Sequence, residues 1–172
     1  KRFEMLEAEL ETSVRPETSD SATLKIYSPG PLGLTETLRT LEYLALPVCE
    51  EMAIPIVLPE GRKIYLQRLR IEAPPEIIRA LVDGEDRVRA ALRALQEMRA
   101  SDDPLNKLIM REGLCWRDVE VLRTLRHHLL QIRPVLNADT VNGVLLRNGK
   151  TSAALYRAFA ARFDPAQDDR EA

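Results

Sequence analysis

The chain's reactive side chains are few, and their spacing limits what they can do. His127 and His128 are adjacent. On a helix, adjacent side chains point about 100° apart, so the two do not converge on one metal. No third ligand stands at a ligand spacing, and exposed or packing histidines are expected. Cys115 stands at the expected start of a helix, where the macrodipole lowers a thiol pKa. A nucleophile also needs a base, and a histidine two or more turns along the same helix is badly placed. A structural thiol is therefore expected. Cys49 and Cys115 form neither a CxxC nor a metal spacing, which reads as two reduced, partly buried thiols of a cytosolic protein. The seven glycines never make a GxGxxG, so no dinucleotide-binding motif is present.

Other residues suggest binding rather than catalysis. Arg117, Arg123, Arg126 and Arg133, with Arg111 nearby, can form a basic face. Surface ion pairing with Asp118 and Glu120 is the commoner explanation; docking to an acidic surface is the other. The loop Ser28-Pro29-Gly30-Pro31-Leu32-Gly33-Leu34 runs into a helix expected to be capped by Thr35. Pro29, Gly30, Leu34 and Thr35 thus mark a candidate effector loop, where backbone N–H groups meet a carboxylate; a plain turn is the alternative. Trp116, the one tryptophan, opens an apolar helix stripe, and core packing between helices is its expected role.

These residues need elements to hold them. The chain has 172 residues, of which 45% are hydrophobic but only 5% aromatic, so a globular fold with a mainly aliphatic core is expected. Net charge is −2, which gives no general attraction to nucleic acid or an anionic membrane. Residues 1–73 carry 9 basic and 12 acidic groups, residues 74–172 carry 16 and 15. No apolar run approaches the ~20 residues of a membrane span, and no signal peptide is seen. A cytoplasmic location is expected.

The first part reads as strands with one helix. Residues 4–14 form an expected strand and Arg15–Asp20 a turn. Residues 22–27 alternate, with Leu24 and Ile26 on one face and Lys25 and Tyr27 on the other. The helix from Thr35 carries Leu34, Leu38, Leu41 and Leu44 and ends at Pro47. Residues 48–58 form a strand that Pro55 marks as an edge or a bulge. A turn at Pro59-Glu60-Gly61-Arg62 leads to a strand over 63–72, whose apolar phase changes between Leu66 and Leu69. That change predicts a bulge or burial on both faces.

From Pro74 onward the pattern is helical. A long helix over 76–100 is expected, broken or kinked at Asp83-Gly84. Asp103 caps the next helix, with Pro104 in its first turn, and Gly113 ends it in the left-handed conformation. The following helix, 115–132, shows Trp116, Val119, Leu122, Leu125 and Leu129 at helical spacing. Asn137 or Asp139 starts a short helix that Asn148-Gly149 ends. Thr151 caps the last helix, whose stripe is Leu155, Phe159 and Phe163, and Asp164-Pro165 stops it. The tail from Gln167 is expected to fray.

The fold class is thus α+β. Its ββαββα order is ferredoxin-like without the last strand, and the N-terminal strand can take that place as a hairpin with the second. This is a circularly permuted ACT-like domain over 1–73, with its second helix running to about 100. An all-α helical bundle over 74–172 follows.

The run Asn106, Ile109, Gly113-Leu114, Trp116-Arg117-Asp118-Val119 and Leu122-Arg123 resembles a segment of the large bacterial NAD-specific glutamate dehydrogenases. Phe159–Pro165 is similar to a family segment ending Ala-Arg-Phe-Asp-Pro. Leu24-Lys25-Ile26-Tyr27 with Pro29-Gly30 resembles the family's Leu-Tyr-x-Pro-Gly loop. Two stretches depart. Tyr65-Leu66-Gln67-Arg68-Leu69 stands where the family has a Trp-Ile-His-Asp-Phe-like strand, and His127-His128 replaces a tyrosine-containing stretch.

The resemblance implies a non-catalytic regulatory and oligomerising region upstream of the catalytic domain. Cofactors are none in this fragment, NAD binding in the parent enzyme. Partners are the rest of the parent chain, other subunits of a homo-oligomer and an amino-acid effector, with no nucleic acid or membrane. The alternatives are a stand-alone ACT-like amino-acid-binding or protein-interaction module and an RNA-binding sheet with Tyr27 and Tyr65. The acidic balance and the missing aromatic-rich motif oppose the RNA reading. Independent catalysis by Cys115 or the histidines has least support.

Overall fold

Alternating strands and amphipathic helices predict one apolar face on each element, and the computed structural model shows how those faces meet. It describes residues 10–59, 61 and 63–163. Four strands, β1 (Glu11–Pro16), β2 (Ser21–Ser28), β3 (Val48–Val57) and β4 (Lys63–Glu72), form one sheet in the order β1-β2-β4-β3. Every neighbouring pair is antiparallel. Helix α1 (Leu34–Tyr43) joins β2 to β3. After β4 come α2 (Pro75–Asp83), α3 (Glu85–Gln96), a 3-10 turn (Pro104–Asn106), α4 (Lys107–Glu112), α5 (Trp116–Ile132), α6 (Ala138–Arg147) and α7 (Gly149–Phe163).

Strand β1 runs on through Pro16, leaving only residues 17–20 for the turn. The expected strand residues 4–9 lie outside the described residues, as do Glu60, Arg62 and the expected stop at Asp164-Pro165 with the tail. On β2, Leu24 and Ile26 are buried as the alternation predicts, and Lys25 and Tyr27 are half-buried. Strand β3 is an edge, as Pro55 requires, and its bulge falls at Cys49. The phase change in β4 is burial on two faces and not a bulge. Its register with β2 is unbroken from Ser21 paired with Glu72 to Ser28 paired with Tyr65. Leu69 and Ile71 join the main core, whereas Ile64, of opposite parity, is buried outside it.

One cluster of buried aliphatic residues links sheet and helices, from Leu24 and Ile71 through Leu41, Leu81 and Val88 to Leu108, Leu122 and Ala153. Helices α2 and α3 lie against β1, and α2 also against β2. The expected helix over 76–100 is therefore two helices. Gly84 is the junction: a Cβ there would stand 2.6 Å from the Ala80 carbonyl oxygen, so a side chain would force the junction open.

Three further helix ends differ from expectation. Gly33, not Thr35, is the N-cap of α1, and Thr35 lies in its first turn. Helix α1 ends at Tyr43, before Pro47, with Ala45 at φ 61°. The Ala45 N–H donates to the Glu42 carbonyl and the Leu46 N–H to the Leu41 carbonyl. This is a Schellman closure built on alanine instead of the usual glycine. Helix α3 closes in the same way through Met98, at φ 55°.

Helix α7 starts at Gly149, so Thr151 does not cap it. Gly149 does not merely end α6: a Cβ there would run into the Glu112 side chain of α4, which would have to move. The face that α7 buries is consequently Gly149, Ser152 and Ala153. Of the expected stripe, Leu155 and Phe163 are exposed and Phe159 is half-buried against the Phe163 ring, 4.9 Å away.

Candidate functional site

The corner at Gly113 forms as its residue types dictate. Asp103 caps the 3-10 turn by accepting the Leu105 N–H at 2.9 Å. Gly113 takes the left-handed conformation, φ 71°, at the end of α4. Cys115 then caps α5 in a capping box: Asp118 accepts the Cys115 N–H at 2.7 Å. Trp116 is half-buried against the core, as expected of a packing residue, with the guanidinium carbon of Arg117 4.5 Å and that of Arg99 5.4 Å from its ring centre. Such cation–π contacts stabilise by about 0.5–1 kcal/mol at exposed sites.

The same geometry decides the cysteine. Burial pushes the Cys115 thiol above its ordinary range, and the hydrogen bond with Asp118 pushes the same way. The expected lowering by the helix dipole is overturned, because a carboxylate sits where a thiolate would need a cation. Cys49 is exposed, not partly buried, and its thiol donates to the Arg70 carbonyl at 3.3 Å. Both cysteines are free thiols.

The arginines part company. Arg111, Arg117 and Arg133 are exposed, but Arg123 is 2% and Arg126 is 7% exposed. No basic surface face can include the last two. Arg123 reaches Asp103 through Nε to Oδ2 at 3.0 Å and Nη2 to Oδ1 at 2.8 Å, a two-pronged pairing. Its Nη2 also donates to Asn106 Oδ1 at 3.1 Å, and its Nη1 to Glu120. Arg126 Nη1 donates to Asp103 Oδ2 at 3.0 Å and to Asn142 Oδ1 at 2.8 Å. Two guanidiniums and two carboxylates thus knit residues 101–106, α5 and α6.

Charge, not solvent, holds this cluster ionised. Burial pushes the Asp103 carboxyl up, but hydrogen bonds and charge from Arg123, with help from the Leu105 N–H and Arg126, hold it below the usual carboxylate range. Burial likewise works against the Arg123 cation, and Asp103 and Glu120 more than offset it. The sequence carried a signal for this arrangement. Arg123 stands seven residues after Trp116, and Arg126 seven after Val119, so both share the inward stripe. The charge of an arginine hid it.

His127 and His128 are both exposed, and His127 Nε2 lies 2.9 Å from Arg126 Nη2. Among the described residues no group of three metal-ligating side chains converges. In the Pro29–Thr35 loop, the Ser28 hydroxyl donates to the Gly30 carbonyl at 2.6 Å, and Gln67 Nε2 to the Leu32 carbonyl at 3.4 Å. Pro29, Leu34 and Thr35 are exposed and Gly30 is half-buried. At the loop's end, Leu32 and Gly33 border a cavity of about 500 Å³ between α1 and α3.

A four-stranded antiparallel sheet joined to a charge-locked helical corner makes this an α+β protein. Residues 100–165, which carry that corner, match the family described as glutamate dehydrogenase, helical motif 3. The chain is similar to the NAD-specific glutamate dehydrogenase of Mycobacterium tuberculosis, 28% identical over 137 residues, which cover 77% of this chain and 8% of that protein. The enzymes of the same name from Halomonas elongata and Pseudomonas aeruginosa are each 26% identical, over 88% and 81% of this chain and 9% of each relative. The chain therefore spans under a tenth of these relatives. The resemblance read from the Asn106–Arg123 run is borne out: the chain is similar to a segment of the large NAD-specific glutamate dehydrogenases.

Proposed function

We propose that the chain is a regulatory and scaffold segment of an NAD-specific glutamate dehydrogenase. The parent converts L-glutamate, NAD and water to 2-oxoglutarate, ammonia and NADH, and binds NAD outside this segment. The observation that carries the reading is the match of residues 100–165 to a helical motif of that family. Two structural facts support a non-catalytic role. The buried charges of the motif are spent on one another, and the Cys115 thiol is held protonated beside Asp118. The sheet supports the ACT-like half: β1 lies beside β2, at the edge where a ferredoxin-like fold has its last strand.

Its partners are the remainder of the parent chain, other subunits of a homo-oligomer and an amino-acid effector, in the cytoplasm. No helix among the described residues is long and apolar enough to cross a membrane. The test is the native gene. A dinucleotide-binding domain encoded downstream of Ala172 is expected, together with glutamate-dependent NAD reduction by the full-length product and none by residues 1–172 alone. A native gene without that domain overturns the reading. The cavity beside the loop keeps a second reading open, a stand-alone ACT-like amino-acid-binding module. Calorimetric binding of an amino acid by a native product lacking any catalytic domain would favour it.

A further inference from the structure

The helices that meet the sheet share one cluster with Leu24, Leu69 and Ile71, and so lie on one face of it. The alternate residues of β2 and β4 point to the other face. That face is ordered in cross-strand rows. Tyr27, Leu66 and Ile54 stand side by side on β2, β4 and β3, and Lys25, Arg68 and Met52 form the next row. Met52 is 46% and Ile54 40% exposed, and Tyr27 and Leu66 are half-buried. Ile56, half-buried, and its partner Ile64, buried, continue the apolar part. A single exposed apolar side chain means little, but a contiguous patch marks a surface that meets another layer.

The charges on this face are unevenly answered. Arg70 of β4 has Glu17, Glu50 and Glu72 around it. Lys25 and Arg68, one row along, are direct cross-strand partners. Like charges opposite one another destabilise a sheet. Among the described residues neither of the two has a carboxylate partner. A repelling pair at the border of an apolar patch is complementary to a carboxylate brought from outside.

We propose that this face docks an amphipathic helix of the parent enzyme from outside residues 1–172. The helix lies along β4, with its apolar side on Tyr27, Leu66 and Ile54 and its carboxylates on Lys25 and Arg68. The width fits: the axes of three neighbouring strands span about 10 Å, the diameter of one helix. Charge selects the occupant. A second copy of this face would bring two more cations toward the pair, whereas an acidic helix neutralises it. The chain covers under a tenth of each relative, so the parent has ample sequence to supply the helix. The proposal rests on the reading of the chain as a segment of a larger enzyme.

The experiment compares the full-length native product with residues 1–172 by hydroxyl-radical footprinting of Met52 and carbodiimide coupling at Lys25. Met52 is expected to be labelled in residues 1–172 and to lose that labelling in the full-length product. Coupling in the full-length product should join Lys25 to a carboxylate of the parent outside residues 1–172. Arg68→Glu separates docking from folding. It places a carboxylate opposite Lys25, so the melting temperature of residues 1–172 should hold or rise, while labelling of Met52 in the full-length product should increase. Ile54→Ser, which alters no charge, should increase it as well. The proposal is overturned if Met52 is labelled equally in the two proteins, or if Arg68→Glu and Ile54→Ser both leave it protected. Coupling of Lys25 to Glu4, Glu7 or Glu9, or to residues 1–172 of a second copy, names another occupant and overturns it too. A full-length product that reduces NAD with glutamate but still exposes Met52 removes this inference alone. A native product without a further domain removes the proposed function with it.

Discussion

The sheet half and the helical corner are held by opposite means. Leu24, Leu69 and Ile71 are fully buried among other aliphatic side chains, with Ile78 and Leu81 from α2 in the same cluster. The corner of residues 101–142 buries Arg123 and Arg126 on Asp103, Asn106 and Asn142. Aliphatic burial is non-directional and tolerates an exchange of similar volume. A buried ion cluster tolerates no loss of one member, because its partners stay behind as uncompensated charges. The corner therefore fixes how residues 101–106, α5 and α6 stand relative to one another more strictly than the sheet fixes its helices.

The largest effect that tests this contrast is Asp103→Ala. It leaves Arg126 without a carboxylate and Arg123 with Glu120 alone, and it removes the cap of the 3-10 turn, so a loss of about 3–5 kcal/mol in urea unfolding is expected. A loss below about 1 kcal/mol would mean that water replaces the carboxylate and that the corner is not charge-locked. Leu69→Ala, in the sheet, should cost about 2–5 kcal/mol with the slope of the transition unchanged. Replacing Asp103, Arg123 and Arg126 together by apolar residues of similar volume should cost far less than Asp103→Ala alone, whereas emptying several leucine positions accumulates losses.

Acid separates the two halves as well. The folded pKa of Asp103 is depressed, so its contribution is fully present above the unfolded value of about 3.9 and is lost as pH falls through the folded value. The stability gap between the unsubstituted chain and Asp103→Asn should therefore narrow below about pH 4. The gap between the unsubstituted chain and Leu69→Ala should stay constant over the same window. Paired chemical-denaturation curves at pH 7 and pH 3 read both. A gap for Asp103→Asn that does not change with pH would remove the carboxylate's charge from the account.

The smallest effect lies where the halves meet. Met98 ends α3 in the left-handed region, where a β-carbon costs about 1–2 kcal/mol, and its side chain is 91% exposed. Met98→Gly should raise stability by a few tenths of a kcal/mol up to about 1 kcal/mol, the glycine's extra freedom in the unfolded chain offsetting part of the relieved strain. A drop in the melting temperature would show that the Met98 side chain packs on the cavity rim it borders.

The helix ends show why part of the fold was legible and part was not. Gly113 marks its own left-handed turn, because glycine is the residue that adopts it at little cost. Ala45 and Met98 adopt the same turn without that sign, held by the backbone hydrogen bonds that close each helix end. Gly84 and Gly149 read as breaks. That a side chain at Gly84 would meet the Ala80 carbonyl, and one at Gly149 the movable Glu112 side chain, depends on distances no local pattern contains. The expected Leu155–Phe159–Phe163 stripe failed for the same reason. Gly149, Ser152 and Ala153 are small enough for α7 to lie close to α4 on that side, and close approach outweighed hydrophobicity.

The sequence by itself determined the antiparallel strands with their inward residues, the edge position of β3, the Asp103 cap and Gly113 corner, and the resemblance to a glutamate dehydrogenase segment. All of these follow from alternation, backbone preference or residue identity along one stretch of chain. The tertiary structure alone decided that Arg123 and Arg126 are interior, that Cys115 is not activated, and that Asp102 is bonded to Thr40 of α1. A charge goes inside only when residues distant in sequence supply its partners. Asp103 lies 20 residues from Arg123 and Thr40 lies 62 from Asp102, and folding is what brings them within hydrogen-bond reach.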